Sequence, residues 1–334
     1  MYAGLTSTIF VLLFLAACFA GCTNQAPAAP ATAAPTAAVT QAEPQTLVIA
    51  TTTSLYDTKL LDYLQQKFEA KYPGVKLKIT SQGTGKAIEL AKNGDADVLL
   101  VHSPSQELVF MKDGYGLNRR SFAFNSFLIV GPENDPAGIR DMTPEDAMTT
   151  LLLKGTNKTA GISFVSRGDG SGTHSAEKNV WSKARYNYTT QIQKSGDWYI
   201  EAGKGMGETL QMASEKNAYT LTDEGTYLTY RKDLRMEPVV SKGASLLNIY
   251  SVMAVYNSRQ PVDKIKMANN FINFLIDPAT QADIGTFGVD KYGKALFTPM
   301  SVEVPTAAEG WVGNYTAPAT AIAPPVTSGI RATN

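Results

Sequence analysis

An apolar run that ends in a cluster of hydroxyls and glycines, then gives way to helical spacing, recurs in this chain and constrains its fold more than any other feature. Leu47-Val48-Ile49-Ala50 runs into Thr51-Thr52-Thr53-Ser54, followed by Leu60, Leu61, Leu64 and Phe68. Val75-Lys76-Leu77-Lys78-Ile79 runs into Ser81-Gln82-Gly83-Thr84-Gly85, followed by Ile88, Leu90 and Ala91. Gly161-Ile162-Ser163-Phe164-Val165 runs into Ser166-Arg167-Gly168-Asp169-Gly170-Ser171-Gly172-Thr173-His174. With the run Ala96–Val101 and the helix opening at Pro104, this alternation predicts parallel sheet covered by helices. In such sheets ligands bind beyond the carboxyl ends of the strands, where helix N-termini expose free N–H groups.

The turns share one chemistry. In the third, glycines permit the backbone angles at which N–H groups converge, and Arg167 adds a full charge with fork geometry suited to oxyanions. Taken alone this turn also admits the lesser reading of a Gly-rich surface loop with an accidental Arg-Gly-Asp. Ser54 with Asp57 resembles a capping box. Three helix N-termini, each worth roughly half a positive charge, together with Arg167 approach what a dianion needs.

The ends differ in kind from the middle. Ile9–Ala17 is an apolar core of signal-peptide length, and both Leu15–Cys18 and Phe19–Cys22 resemble a lipobox. Residues 1–22 are thus expected to be a signal peptide with Cys22 as a lipid anchor to the membrane. Residues 23–45, rich in Ala, Pro and Thr, form a linker able to span on the order of 60 Å at ~3 Å per residue. Residues 305–334 have similar composition and are expected to be disordered. With Cys18 and Cys22 the only cysteines, no disulfide or cysteine metal site is available downstream. Thirty basic residues balance 30 acidic ones, and no basic patch interleaves with aromatics, which argues against nucleic acid.

Enzyme readings are poorer. His174 and Glu177 have helical spacing that imitates part of a metal site, but two ligands do not hold zinc. Ser171 with His174 establishes no triad, and Asp95 with Asp97 fits strand-end solvation better than paired acid–base chemistry. A metal-dependent hydrolase on a bilobal scaffold is the alternative class. The apolar stretches Phe122–Val130 and Leu246–Val255 read as passages out of and back into the first domain, placing 46–124 and 252–304 in one lobe and 125–251 in the other.

From about Leu47 to Met300 the chain resembles the Tup-type tungstate-binding proteins of ABC importers, within the bilobal substrate-binding proteins. The resemblance is carried in order by Thr51–Ser54, Gly83–Gly85, Gly94–His102, Val130–Pro132, Ser166–Asp169 with Ser171–His174, and Tyr219–Asp223. It implies a two-lobed α/β fold of the type 2 periplasmic-binding-protein class with two crossings and a ligand cleft. It also implies an extracytoplasmic, monomeric receptor without catalytic residues, metal or cofactor. Such a receptor delivers tungstate or a related oxyanion to a permease driven by its ATPase. By the same resemblance Thr52, Thr53, Ser54, Gly83 and Thr84 bind from one lobe, and Ser166, Arg167, Ser171, Gly172, Thr173 and Thr222 from the other. Lys86, Leu55-Tyr56 and Glu224 depart from the pattern.

Molybdate and phosphate are the alternative ligands. Asp169–Thr173 also resembles a phosphate-binding motif, in which a carboxylate accepts the proton of hydrogen phosphate. A fully deprotonated oxyanion would be repelled by that acceptor, so for tungstate Asp169 is expected to turn away, toward Arg167.

Overall fold

The structure, a computed structural model, describes residues 44–305 and 316–324. The expected signal peptide, Cys22 and almost all of the linker lie outside the described residues, as does Trp311. No described helix is long and apolar enough to cross a membrane.

The first lobe is built from the early strand–turn–helix units. Strand β1 (Gln45–Thr52) lies between β2 (Val75–Gln82) and β3 (Val98–Val101), parallel to both. Helices α1 (Thr53–Asp57), α2 (Leu60–Lys71), α3 (Thr84–Asn93) and α4 (Pro104–Lys112) join or follow them. Leu60, Leu61, Leu64 and Phe68 of α2 are buried, as their spacing predicts. Ser54 does not cap: Thr52 is the N-cap, its Oγ1 accepting from Leu55 N (3.4 Å), because the helix starts two residues earlier than the Ser54–Asp57 box requires.

A single long strand, β4 (Gly116–Gly131), makes the first crossing. Its first part pairs antiparallel with β9 (Leu247–Val255) up to Ser126↔Leu247; from Phe127 onward it pairs with β7 (Thr220–Asp223) and β8 (Glu237–Val240). The chain therefore returns at Leu247, where β9 joins the first sheet, rather than after residue 251. The apolar run reads as one passage in sequence, but its register with β4 puts all of β9 on the first sheet between β3 and β4. Helix α9 (Val262–Ile276) then packs Ile265, Ala268, Phe271, Ile272 and Leu275 into the first core.

The second lobe adds α5 (Pro144–Thr156), β5 (Phe164–Ser166), α6 (Gly172–Lys183), β6 (Tyr199–Glu201), α7 (Met206–Glu215) and α8 (Glu224–Tyr230). β5 pairs parallel with β6 and bridges to Tyr219, so it extends the β7 edge of the sheet. Met148, Leu151, Phe164, Trp181 and Tyr219 fill its core.

Within the tail expected to be disordered, residues 316–324 lie against the first lobe: Ala319 is buried, and its main chain exchanges hydrogen bonds with Asn273. Composition cannot show this, since the partners are asparagine amides elsewhere in the chain.

Candidate functional site

The β1–α1, β2–α3 and β5–α6 turns meet where the lobes close. Arg167 Nη2 of the second lobe donates to Thr53 Oγ1 of the first (3.4 Å). Gln106 Nε2 on α4 donates to Gly170 O (3.3 Å) and Ser175 Oγ (2.8 Å), and Thr226 Oγ1 on α8 to Ser54 O (3.4 Å). Gly83 packs so closely on the Arg167 turn that a Cβ there would lie 3.2 Å from Asp169 Oδ2. At Gly172 a Cβ would stand 2.7 Å from His102 Nε2, so only glycine lets the α6 N-terminus approach the first lobe this far.

On the second lobe, Gly168 and Gly170 take left-handed backbone angles (φ +61° and +71°), curling the chain around Asp169. Arg167 is buried; its Nε donates to Lys204 O (3.3 Å) and its Nη2 to Asp169 Oδ2 (2.5 Å). Asp169 Oδ1 accepts from Ser171 N (3.0 Å), so each carboxylate oxygen has a donor within its own turn. Ser171 caps α6, accepting from His174 N. Ser166 Oγ accepts from Gly168 N (3.2 Å) and donates to Glu177 (2.5 Å).

Glu177 is a buried carboxylate with three donors, Ser166, Tyr199 and Trp181 Nε1, and burial pushes it up to about 7. Both ring nitrogens of His174 have partners: its Nδ1 accepts from Gly170 N (2.9 Å), its Nε2 meets Tyr188 OH (2.8 Å), and burial pulls it down to about 4. Among the described residues no three His, Cys, Asp or Glu side chains cluster as a metal site would require.

On the first lobe the hydroxyls gather around a neutral imidazole. His102, missed from sequence as a member of the site, stacks on Tyr250 and is drawn down to about 4, chiefly by burial. Asn248 Nδ2 donates to Asn125 Oδ1 and Tyr250 OH, which leaves Asn248 Oδ1 to accept from His102 Nδ1–H (2.8 Å). His102 Nε2 is then an acceptor, and Ser54 Oγ–H donates to it (3.0 Å). Thr52 Oγ1 lies 3.3 Å from Ser54 Oγ and so supplies the proton of that contact.

Four buried side-chain atoms on these turns find no hydrogen-bond partner among the described residues: Thr51 Oγ1, Thr84 Oγ1, Arg167 Nη1 and Thr173 Oγ1. Thr84, Arg167 and Thr173 are among the residues singled out from sequence; Thr51 belongs to the same hydroxyl run. Thr222 stands apart, its hydroxyl donating to Asp223 O (3.2 Å), with no hydrogen bond among the described residues linking it to the Arg167 turn. Lys86 is exposed on α3, and Glu224 pairs with Lys294. A cavity of about 370 Å³, lined in part by His102, Phe127, Gly172 and Leu247, lies beside the closed turns on the crossover side.

Residues 31–279 match the model of the PBP superfamily domain. The tungstate-binding protein TupA of Peptoclostridium acidaminophilum is 40% identical over 253 residues, covering 76% of this chain and 85% of that protein. Among solved structures, TupA from Desulfovibrio alaskensis shares 39% identity (TM-score 0.63, 76% of this chain and 98% of that one). A tungstate ABC transporter structure from Geobacter sulfurreducens also shares 39% (TM-score 0.61, 70% and 95%). The order of the six sequence blocks, the two crossings and the three converging turns thus have one explanation: the chain belongs to the TupA family of the PBP superfamily.

Proposed function

We propose that this chain is the extracytoplasmic receptor of an ABC importer, that it captures tungstate between its lobes, and that it hands the anion to a permease driven by a separate ATPase. It binds and carries; it performs no chemistry on its ligand. Thr51, Thr84, Arg167 and Thr173 would be direct donors, while Ser166, Ser171 and Gly172 shape the turn that presents them. Cys22 would carry the lipid that holds the receptor at the membrane.

The observation that carries this reading is the set of four buried, unpartnered polar atoms on turns from both lobes. Each such group costs about 1–3 kcal/mol when left unsatisfied, so a closed arrangement that gathers four of them is favourable chiefly with an acceptor-rich anion between them. Asp169 fits a fully deprotonated ligand, because its carboxylate is turned onto Arg167 Nη2 and Ser171 N and such an anion brings no proton that would recruit it into the site. The 40% identity to a tungstate-binding protein favours tungstate among such dianions.

Calorimetry with tungstate, molybdate, sulfate and phosphate tests the reading. Tungstate should bind one per chain, with phosphate the weakest by a wide margin. Tight phosphate binding, or no oxyanion binding at all, would overturn it.

A further inference from the structure

The Gly-rich turn spends most of its N–H groups on itself. Gly168 N donates to Ser166 Oγ (3.2 Å), Ser171 N to Asp169 Oδ1 (3.0 Å), His174 N to Ser171 Oγ (3.2 Å) and Gly170 N to His174 Nδ1 (2.9 Å). What is left for an anion is Arg167 Nη1, Thr173 Oγ1 and the first main-chain N–H groups of α6, which no intrahelical carbonyl reaches. The four closures decide where those donors aim. Three of the acceptors are oxygens of short side chains; the fourth is an imidazole.

Ser171 and His174 are the N-cap and third residue of α6, the two places that a capping box fills. There the cap serine takes the N–H of the third residue, and a Glu or Gln at the third residue reaches back to a main-chain N–H. His174 reaches back one residue further, to Gly170. A glutamate would serve the N–H and the helix dipole equally well, but it would set another negative charge on a turn that already carries Asp169 and receives a dianion. The imidazole accepts without charge. Its tautomer is fixed from both sides: Gly170 N–H can only donate, so Nδ1 is bare, and the Tyr188 proton goes to Glu201 Oε1 (2.5 Å), so the Tyr188 oxygen takes the Nε2 proton (2.8 Å). Burial, helped by Lys178 and Arg167 and opposed by Asp169 and Glu201, keeps the ring neutral down to about pH 4.

We propose, on the reading of the chain as a tungstate receptor, that His174 is a positioning residue of the anion site: an uncharged acceptor that closes the Arg167 turn onto α6 where the ordinary carboxylate would repel the ligand.

Tungstate calorimetry and ligand-free melting on the full chain at about pH 8 test this with two variants. His174→Gln supplies an acceptor for Gly170 and a donor for Tyr188 without charge, and should bind within about threefold of the parent. His174→Glu keeps the acceptor and should lose at least about tenfold in affinity, while its melting temperature stays at or above that of His174→Gln. Should His174→Glu not fold, His174→Ala takes its place and should bind at least about fivefold more weakly than His174→Gln, since Gly170 N is then unpaired. Equal binding by the Gln and Glu variants, or a Gln variant as weak as the Glu or Ala variant, would overturn the role given to His174. So would nitrogen NMR of the ligand-free chain showing the His174 proton on Nδ1, a readout that needs no anion. No tungstate binding by the parent would instead sink the receptor reading, and this role with it.

Discussion

The two lobes offer an anion different things. The second presents charge: Arg167 is buried and braced by Asp169, and the turn beneath it rests on Glu177 through Ser166. The first presents neutral dipoles: hydroxyls and helix N-termini, with the imidazole that touches them, His102, held uncharged by burial. A lobe with a fixed cation can hold a dianion while the cleft is open, since a charge-assisted hydrogen bond contributes roughly twice what a neutral one does. Neutral donors gain most once water is excluded, which closure accomplishes. The asymmetry implies an order, with capture on the Arg167 turn followed by closure of the hydroxyl lobe over it.

The largest effect should follow from removing the charge. Arg167→Gln should weaken tungstate binding by about 1.5–3 kcal/mol or more, at least roughly tenfold to a hundredfold, and Arg167→Lys should keep part of the affinity while losing the fork. The loss should exceed the net worth of one contact, because Asp169 then faces the anion with its positive partner gone. Calorimetry at constant salt measures it. Parental affinity in Arg167→Gln would erase the distinction between the lobes.

Next come the neutral donors, one from each side. Thr84→Val and Thr173→Val preserve shape and delete a buried hydroxyl that has no partner among the described residues. Each should cost about 0.5–1.5 kcal/mol of binding, a few-fold to tenfold, while the ligand-free melting temperature holds or rises. Opposite signs for affinity and stability are the signature of a group kept for its ligand. A fall in both would mean the hydroxyls serve the fold.

How much of this arrangement sequence alone discloses depends on range. The strand–turn–helix units are legible because their signals are local: Leu47–Ala50 is apolar, Thr51–Ser54 follows at once, and Leu60, Leu64 and Phe68 repeat at helical spacing. The partner of Ser54 is not legible, since His102 lies 48 residues away and its tautomer is set by Asn248, a further 146 residues on. Local pattern even misleads at Ser54, whose side chain turns inward to His102 while Thr52 caps the helix. Thr51 hides among identical neighbours; it is as buried as Thr52, and what separates them is that Thr52 Oγ1 caps α1. The support beneath Arg167 is also non-local, because it joins α6 to β6 through Glu177 and Tyr199.

That support gives the second lobe a pH dependence of its own. Burial raises Glu177 from 4.5 to about 7, so between those values the folded chain keeps a proton that the unfolded chain has released. Folding stability from this group is therefore present at low pH and lost as pH rises through the window. Glu177→Gln abolishes the titration, and its melting temperature relative to the parent should climb from about pH 4.5 to about 7 and then level off. His102 and His174, drawn from 6.5 down to about 4, contribute the opposite slope over roughly pH 4–6.5 in both chains and so cancel in the difference. A difference that does not vary with pH would show that Glu177 titrates normally.

The smallest effect on binding is expected at Ser54, and it tests whether a hydroxyl in the right turn is thereby a ligand donor. Its proton is committed to His102 Nε2 at 3.0 Å, and the amide of Asn248, fixed by Asn125 and Tyr250, keeps that nitrogen an acceptor. Ser54→Ala leaves a buried imidazole nitrogen unpaired and should lower stability by about 1–3 kcal/mol, whereas tungstate affinity should fall less than about threefold, below the cost of Thr84→Val. Paired melting and calorimetry on the two variants decide it. Should Ser54→Ala cost more affinity than Thr84→Val, the Ser54 proton must turn to the anion when it binds. His102 would then carry its own proton on Nε2, and the neutral lobe would supply one more donor than its ligand-free hydrogen bonds imply.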